Sequence, residues 1–304
     1  MNIAAGPGGP GSFPFEAEVT CTFVEKPLRG HSAKFACDLG NGDIVKVKFG
    51  ADNGEVYGEV AATRLLWALG FGADRMYPVR VNCRACPARL GGRARGADTT
   101  RFAPAVIERE MPGASFDDDP GWAWAELDSV DPQAGGASRR EVDALKLLAV
   151  FLQHTDNKVE QQRLLCIDEP HAKDAERCRQ PFLVLDDVGL TFGAANLMND
   201  NRVGGANFAG WSREPIWKDA DRCIGNLAPS FTGTMSNPRI SEDGRQFLAG
   251  LLARLSRKQI RALFTVSRFD QRPVDAMVRP RPTIDDWVRV FEEKRDAIAR
   301  ARCS

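Results

Sequence analysis

From residue 147 the chain reads LLAVFLQHTDNKVEQQRLLC, an apolar helical pattern that runs into His154, Asp156, Asn157, Lys158 and Gln161 before turning apolar again. Further on, FLVLDDVGLTFG ends an apolar strand in Asp186 and Asp187, with Gly189 two residues later. Upstream, IVKVKF sets Lys46 and Lys48 on one face of an alternating strand, and the next helical stretch carries Glu55 and Glu59 one turn apart. Phosphoryl transfer from a nucleotide is catalysed mostly by positioning and charge neutralisation, and these are the parts it needs. Lys48 held by Glu59 would grip phosphates. Asp156, with Lys158 beside it, would orient the acceptor hydroxyl or take its proton. Asp187 and Gln161 would hold Mg²⁺ or Mn²⁺. Spacing alone leaves Lys46 open as an alternative to Lys48, and Glu55 as an alternative to Glu59.

These residues need elements to carry them. EAEVTCTFV, SAKFACDL and DIVKVKFG read as three short strands separated by turn signals, and GEVYGEVAATRLLWALGF has helical spacing and stops at Gly70 and Gly72. MYPVRVNC and FAPAVIERE read as two more strands around a Gly/Arg-rich loop. MPGASFDDDPGWAWAELD is a connection rich in Pro, Gly and Asp, the expected lobe boundary. Ser138 and Glu141 form a capping box that opens a helix with Val142, Leu145, Ala149 and Leu152 on one face. Strand, polar insert and strand follow, then an irregular stretch over 194–240 and three C-terminal helices, one of them capped by Ser256 and Gln259. The expected class is α+β in two lobes: a flexible Gly/Pro tail at 1–16, a small, mostly antiparallel β-rich lobe with one helix at 17–110, and a larger helical lobe at 111–304.

With 304 residues there is ample material for such a core. Lys plus Arg and Asp plus Glu both number 41, so the formal net charge is zero, which argues against a protein that wraps nucleic acid. No apolar run approaches the roughly 20 residues of a transmembrane helix. The N-terminus has neither a basic nor an apolar signal region, which points to the cytoplasm. The 8 cysteines point the other way. Cys21 and Cys37, and Cys166 and Cys178, flank hairpins in positions compatible with disulfides, and oxidised pairs would mean an extracytoplasmic setting. Cys83 and Cys86 make half of a zinc-site spacing with no second half, so a local disulfide or inert thiols is the expected state.

HTDNKVEQ and DVG, with a strand lysine and helix glutamate before them, resemble the protein-kinase-like superfamily. The likeness is to its divergent branch, which includes the phosphatidylinositol kinases, the HipA-type kinases and the Fam20-type kinases. The chain also resembles a bacterial family marked by GHSAKF, KVKFG, ATRLLWALGF and HTDNK. The kinase resemblance implies a two-lobed fold, ATP and a divalent metal as cofactors, His154 as a brace for the catalytic loop, and Glu108 to Met111 as the lobe connection that meets adenine. It departs from the family pattern in three places. There is no glycine-rich loop, and only Gly30 and Ser32 at the first hairpin tip are left to cover phosphates. Gln161 stands where the family has a metal-binding Asn. Thr155 replaces an Arg that pairs with a phosphorylated loop. The resemblance leaves the acceptor open among protein, lipid and small molecule. It also admits other readings: a pseudokinase that binds nucleotide or a partner without transfer, an AMP-transferase on the same fold, or an interaction protein stapled by disulfides.

Overall fold

The computed structural model describes residues 2–87, 98–115, 121–167, 178, 181–193, 205–273 and 281–303. The Gly/Arg-rich loop, residues 116–120 of the lobe connection, the polar insert before Cys178 and the first part of the irregular stretch lie outside the described residues.

The first lobe is β1 (Ala17–Val24), β2 (Lys34–Asp38), β3 (Ile44–Phe49), α1 (Glu55–Leu69), β4 (Gly72–Ala73), β5 (Arg75–Arg84) and β6 (Thr99–Arg109). The strands close into a barrel in the order β1-β2-β3-β6-β5, with every pairing antiparallel except β5 against β1. Period-two alternation sorts the side chains. Phe35, Cys37, Val45, Val47, Ala105 and Ile107 fill the barrel interior, while Met76 and Val106 belong to the separate core around α1. Helix α1 ends where Gly70 enters the left-handed region at φ 87 and its N–H caps Leu66 and Trp67.

The second lobe comprises β7 (Ala114–Ser115), α2 (Arg139–Leu152), β8 (Gln162–Cys166), β9 (Pro181–Leu185), α3 (Phe208–Arg213), β10 (Trp217–Asp219), β11 (Ile224–Gly225), α4 (Glu242–Ala253), α5 (Arg257–Val266) and α6 (Ile284–Arg300). Strands β4, β9, β8 and β7 form one sheet across the lobe junction. The Ser138 N–H donates to Glu141 at 2.8 Å, as its capping box requires. Helix α2 was expected to bury one face. It is buried at every position from Val142 to Leu152, because its polar members are paired: Asp143 with Arg139 at 3.0 Å and Lys146 with Asp128 at 2.7 Å. The stretch expected to be irregular contains α3 and the β10–β11 pair.

The N-terminal segment, expected to be a flexible tail, is docked. Ile3 is buried, the buried Arg64 guanidinium of α1 donates to the carbonyls of Ile3 (2.8 Å) and Ala4 (2.6 Å), and Tyr77 donates to that of Pro7 (2.7 Å). The physical reason is Arg64, a buried cation with no carboxylate partner among the described residues, which needs acceptors that backbone carbonyls can supply. Among the described residues no helix is long and apolar enough to cross a membrane.

All eight cysteines pair. Cys21–Cys37 and Cys166–Cys178 join as their hairpin positions suggested, Cys83–Cys86 forms the local disulfide, and Cys223–Cys303 fastens the end of the chain to the β10–β11 region. The last of these spans a sequence separation of 80. Thiol titration of the unreduced, denatured protein is therefore expected to find no free thiol. A double Cys223→Ser, Cys303→Ser variant should lose about 2–5 kcal/mol in urea unfolding, since this loop is the longest of the four closed by a disulfide.

Candidate active site

Strand β3 delivers Lys46 and Lys48 to the face opposite the barrel interior, where α1 packs. Lys48 is buried, and its Nζ lies 2.6 Å from Glu59 Oε2, 3.0 Å from Glu55 Oε2 and 3.5 Å from Glu108 Oε2. Lys46 pairs with Glu108 from the neighbouring strand. Lys48 is thus the lysine that meets α1, and both glutamates of the helix reach it, Glu59 more closely. Burial alone would drive the proton off Lys48; the carboxylates of Glu55, Glu59, Asp187 and Glu108 overcome it and hold the ammonium well above its usual range. Glu59 is pushed up, by burial and by Asp187, Glu108 and Glu55, against the pull of Lys48. Three lysines (34, 46 and 48) and four carboxylates (Glu55, Glu59, Glu108 and Asp187) act on one another here. The cluster is short of positive charge.

Helix α2 ends at Gln153, a non-glycine residue in the left-handed region at φ 56, and the chain turns there into the polar loop. His154 is buried against Trp124 with neither ring nitrogen hydrogen-bonded, and burial lowers its pKa to about 4, so it is a neutral packing group at pH 7. Asp156 Oδ2 accepts from Gln161 Nε2 at 2.8 Å and lies 3.5 Å from Lys158 Nζ, while Oδ1 accepts from Ser230 at 3.1 Å. Asn157 fixes the loop from beneath. It donates to the His154 carbonyl at 2.9 Å and accepts from the N–H groups of Thr234 and Met235 at 2.7 and 2.8 Å. Phe231, next to Ser230, stands 93% exposed.

Strand β9 ends in Asp186 and Asp187, which face different partners. Asp186 pairs with Arg163, which also holds Asp74 at 2.7 Å; burial raises Asp186 to about 6 against that pull. Asp187 accepts from the Gly189 N–H at 3.2 Å. Burial would raise its pKa too, but Lys48, that hydrogen bond, Lys34 and Lys46 hold it at about 2. Two glycines allow this loop to touch α1. A Cβ on Gly58 would meet the Gly189 carbonyl at 2.6 Å, and one on Gly189 would meet Glu55 Cγ at 2.3 Å.

The structure therefore gathers Lys48, Glu59, Glu55, Glu108 and Asp187 in one electrostatic cluster, and Asp156, Lys158 and Gln161 in a hydrogen-bonded loop. The two are joined where the Asp186 N–H donates to the Gln161 carbonyl at 2.8 Å. Glu108, read from sequence as part of the lobe connection, lies in β6 with its carboxylate among the lysines. The Met111 N–H donates to Asp74 at 2.7 Å. Gly30 has φ 87 at the hairpin tip, and Ser32 is buried with its hydroxyl unpartnered. Sequence reasoning missed Lys34 and Ser230, and named Asn157 without assigning it a role. Lys34 carried a signal, because it alternates with Phe35 in SAKFACD, but which face meets the cleft is decided by pairing with β3.

Oxygen donors suited to a hard divalent cation are present: the Asp187 carboxylate, held charged, and Gln161 Oε1, which is buried with no hydrogen-bond partner while its Nε2 is spent on Asp156. Among the described residues the three sulfurs of Cys21, Cys37 and Cys83 are the group of His, Cys, Asp or Glu ligands close enough to share an ion, and all three are in disulfides. A separate cavity of about 570 Å³ is lined by apolar residues such as Leu69, Phe71, Trp122, Leu145 and Phe182, and none of the charged cluster lines it.

No family model and no curated protein matches the chain. Among solved structures it is similar to the Helicobacter pylori proinflammatory kinase CtkA, at 12% identity and a TM-score of 0.50 over 93% of this chain and 96% of that one. Weaker likenesses are to the Golgi casein kinase, at 11% identity and a TM-score of 0.40 over 93% of this chain and 72% of that one, and to the Rio2 kinase-ADP/Mg²⁺-phosphoaspartate complex from Chaetomium thermophilum, at 12% identity and a TM-score of 0.33 over 81% and 70%. The first of these likenesses runs along nearly the whole length of both chains. The chain has a protein-kinase-like fold.

Proposed function

We propose that the protein is an ATP-dependent phosphotransferase that uses Mg²⁺ or Mn²⁺ and phosphorylates a hydroxyl acceptor. The observation that carries this reading is the buried Lys48–Glu59 pair within the electrostatic reach of Asp187, a carboxylate held charged beside it. A bound divalent cation would neutralise phosphate charge. Asp187 and the free Gln161 oxygen are the residues to hold it. Lys48, fixed by Glu59 and Glu55, would bind phosphate oxygens with its ammonium already oriented. Asp156 has one oxygen engaged by Gln161 and Lys158 and the other by Ser230. It would orient the acceptor O–H and receive its proton as the acceptor oxygen bonds to the γ-phosphorus and ADP departs. Lys158, partly exposed beside Asp156, would offset charge on the transferring group. The exposed Phe231 next to Ser230 supports approach of the acceptor from that side. The four disulfides support a working place outside a reducing cytosol.

Two outcomes are expected. In a thermal-shift titration, ADP or ATP with Mg²⁺ at about 100 times the dissociation constant should stabilise the native state by about 2.7 kcal/mol. Asp187→Asn should remove the metal-dependent part of that shift; a shift identical in the variant would assign the metal elsewhere. In a turnover assay that follows ADP release, Asp156→Asn should slow metal-dependent ATP consumption by about 10²–10⁴-fold with nucleotide affinity changed little. Turnover equal to wild type would refute the role of Asp156.

A further inference from the structure

The C-x-x-C of Cys83 and Cys86 is half of a zinc-site spacing, and no second half follows it in the sequence. The barrel supplies one. Cys83, near the end of β5, pairs in register with Cys21 of β1, so their side chains share a face. On the other side of β1, Cys37 of β2 lies opposite Phe23, two residues along from Cys21 and therefore on that same face. Cys86 follows β5 into the same core, and none of the four cysteines is more than 3% exposed.

The sulfurs of Cys37 and Cys83 belong to different disulfides yet lie 3.8 Å apart, and those of Cys21, Cys37 and Cys83 all lie within 4.8 Å of one another. Zinc–thiolate bonds of about 2.3 Å in a tetrahedron set their sulfurs about 3.8 Å apart. The edge between the two disulfides already has that length. Cys86 is brought back beside Cys83 by a turn at Ala85, a non-glycine residue at φ 57, with the two Cα atoms 5.8 Å apart. Once the disulfides open, each formerly bonded pair must separate by about 2 Å to reach the tetrahedral edge, a change that side-chain rotation supplies without moving the strands. Val19, Phe35, Val45 and Val81 share the same core and keep water out, the closed setting of a structural metal rather than a catalytic one. Among the described residues, neither Cys166–Cys178 nor Cys223–Cys303 has a third ligand atom in comparable reach.

We propose that Cys21, Cys37, Cys83 and Cys86 form a two-state site: two disulfides when oxidised, and a structural Zn²⁺ site with four thiolate ligands when reduced. Two molecules of a dithiol reductant each close to their own disulfide and pass two hydrogens to one pair of sulfurs, which leaves four thiols. Zn²⁺ then takes the four sulfurs as thiolates and releases four protons, so its affinity rises with pH. The disulfides tie β1 to β2 and close the turn after β5; the metal ties β5 to both strands. The barrel thereby keeps its register in oxidising and in reducing surroundings. Neither state depends on nucleotide or phosphoryl chemistry.

The test is titration of the full chain with Co²⁺ and then Zn²⁺, after reduction with excess dithiol and its removal under argon. Wild type, Cys37→Ser, Cys83→Ser and a Cys166→Ser, Cys223→Ser double variant are compared, with near-ultraviolet circular dichroism to follow the fold. Reduced wild type should bind one Co²⁺ per chain with the visible bands of a tetrahedral site and thiolate-to-metal charge transfer, and Zn²⁺ should bleach both. Oxidised wild type should show neither. Cys37→Ser and Cys83→Ser should each weaken binding by more than the roughly 100-fold that loss of an outer-shell partner can cost, while the double variant should bind as wild type does. If reduction unfolds the chain, one equivalent of Zn²⁺ should refold it. A reduced, folded wild type without the tetrahedral spectrum overturns the site. So does equal binding by wild type, Cys37→Ser and Cys83→Ser, a spectrum that persists in the oxidised chain, or a reduced, unfolded chain that Zn²⁺ does not refold.

Discussion

A lysine ammonium with 2% of its side chain exposed is tolerable on a strand only if carboxylates come to it. Desolvating each ion of such a pair costs several kcal/mol, and removing one partner from a buried pair costs about 3–5 kcal/mol because the other charge is stranded. Lys48 therefore dictates where α1 must lie: close enough for Glu59 and Glu55, one turn apart, to reach the same nitrogen. That position brings α1 against the Asp187 loop so tightly that side chains are excluded at Gly58 and Gly189. On its far side, α1 carries Arg64, whose buried guanidinium donates through Nη1 to the carbonyls of Ile3 and Ala4. One buried charge thus orders a strand, a helix, a loop of the other lobe and the N-terminal segment.

The lower half of the cleft is built on a neutral counterpart of the same logic. Asn157 saturates its amide with the His154 carbonyl and the N–H groups of Thr234 and Met235, so the loop carrying Asp156 is tied to a segment more than seventy residues away. The tie brings Ser230 onto Asp156. A fully satisfied buried amide specifies one arrangement, since any other would leave polar groups unpaired in a low dielectric. His154, by contrast, contributes volume and its aromatic contact with Trp124 rather than hydrogen bonds. Its position in the motif is filled by packing.

Local chemistry was legible, and cross-strand and long-range chemistry was not. The capping boxes at Ser138 and Ser256, the stop at Gly70 and the alternation in IVKVKF depend on residues within a few positions of one another, and the helices and strands lie where those signals put them. The same locality made the order of Lys48, Glu59, Asp156 and Asp187 readable. Glu108 was read as part of a connection because nothing in FAPAVIERE reveals that Lys46 will be its register partner. The N-terminal segment, rich in Gly and Pro, has the composition of a free tail, and only the unmet need of Arg64 explains why it docks. Cys223 and Cys303 are far apart in sequence and carried no hairpin signal, and Ser230 lies in a stretch without periodicity.

The disulfides and the charges belong to one argument about register. Along β2, Lys34 and Ala36 alternate with Phe35 and Cys37, and along β3, Lys46 and Lys48 alternate with Val45 and Val47. A slip of one residue in either strand would drive lysines into the barrel and expose the apolar set, so the two faces enforce each other. Cys37 faces inward and is bonded to Cys21 of β1, whose register partner on β5 is Cys83, itself bonded to Cys86. One covalent link on the inner face, Cys21–Cys37, ties β1 to β2 and so helps hold the alignment that the outer face requires. Electrostatic precision in the cleft, with Lys48 shared among three carboxylates, is otherwise the arrangement most easily lost to a small shift of the sheet. Stapling the apolar side lets the charged side remain crowded, with Lys48 still shared among its carboxylates.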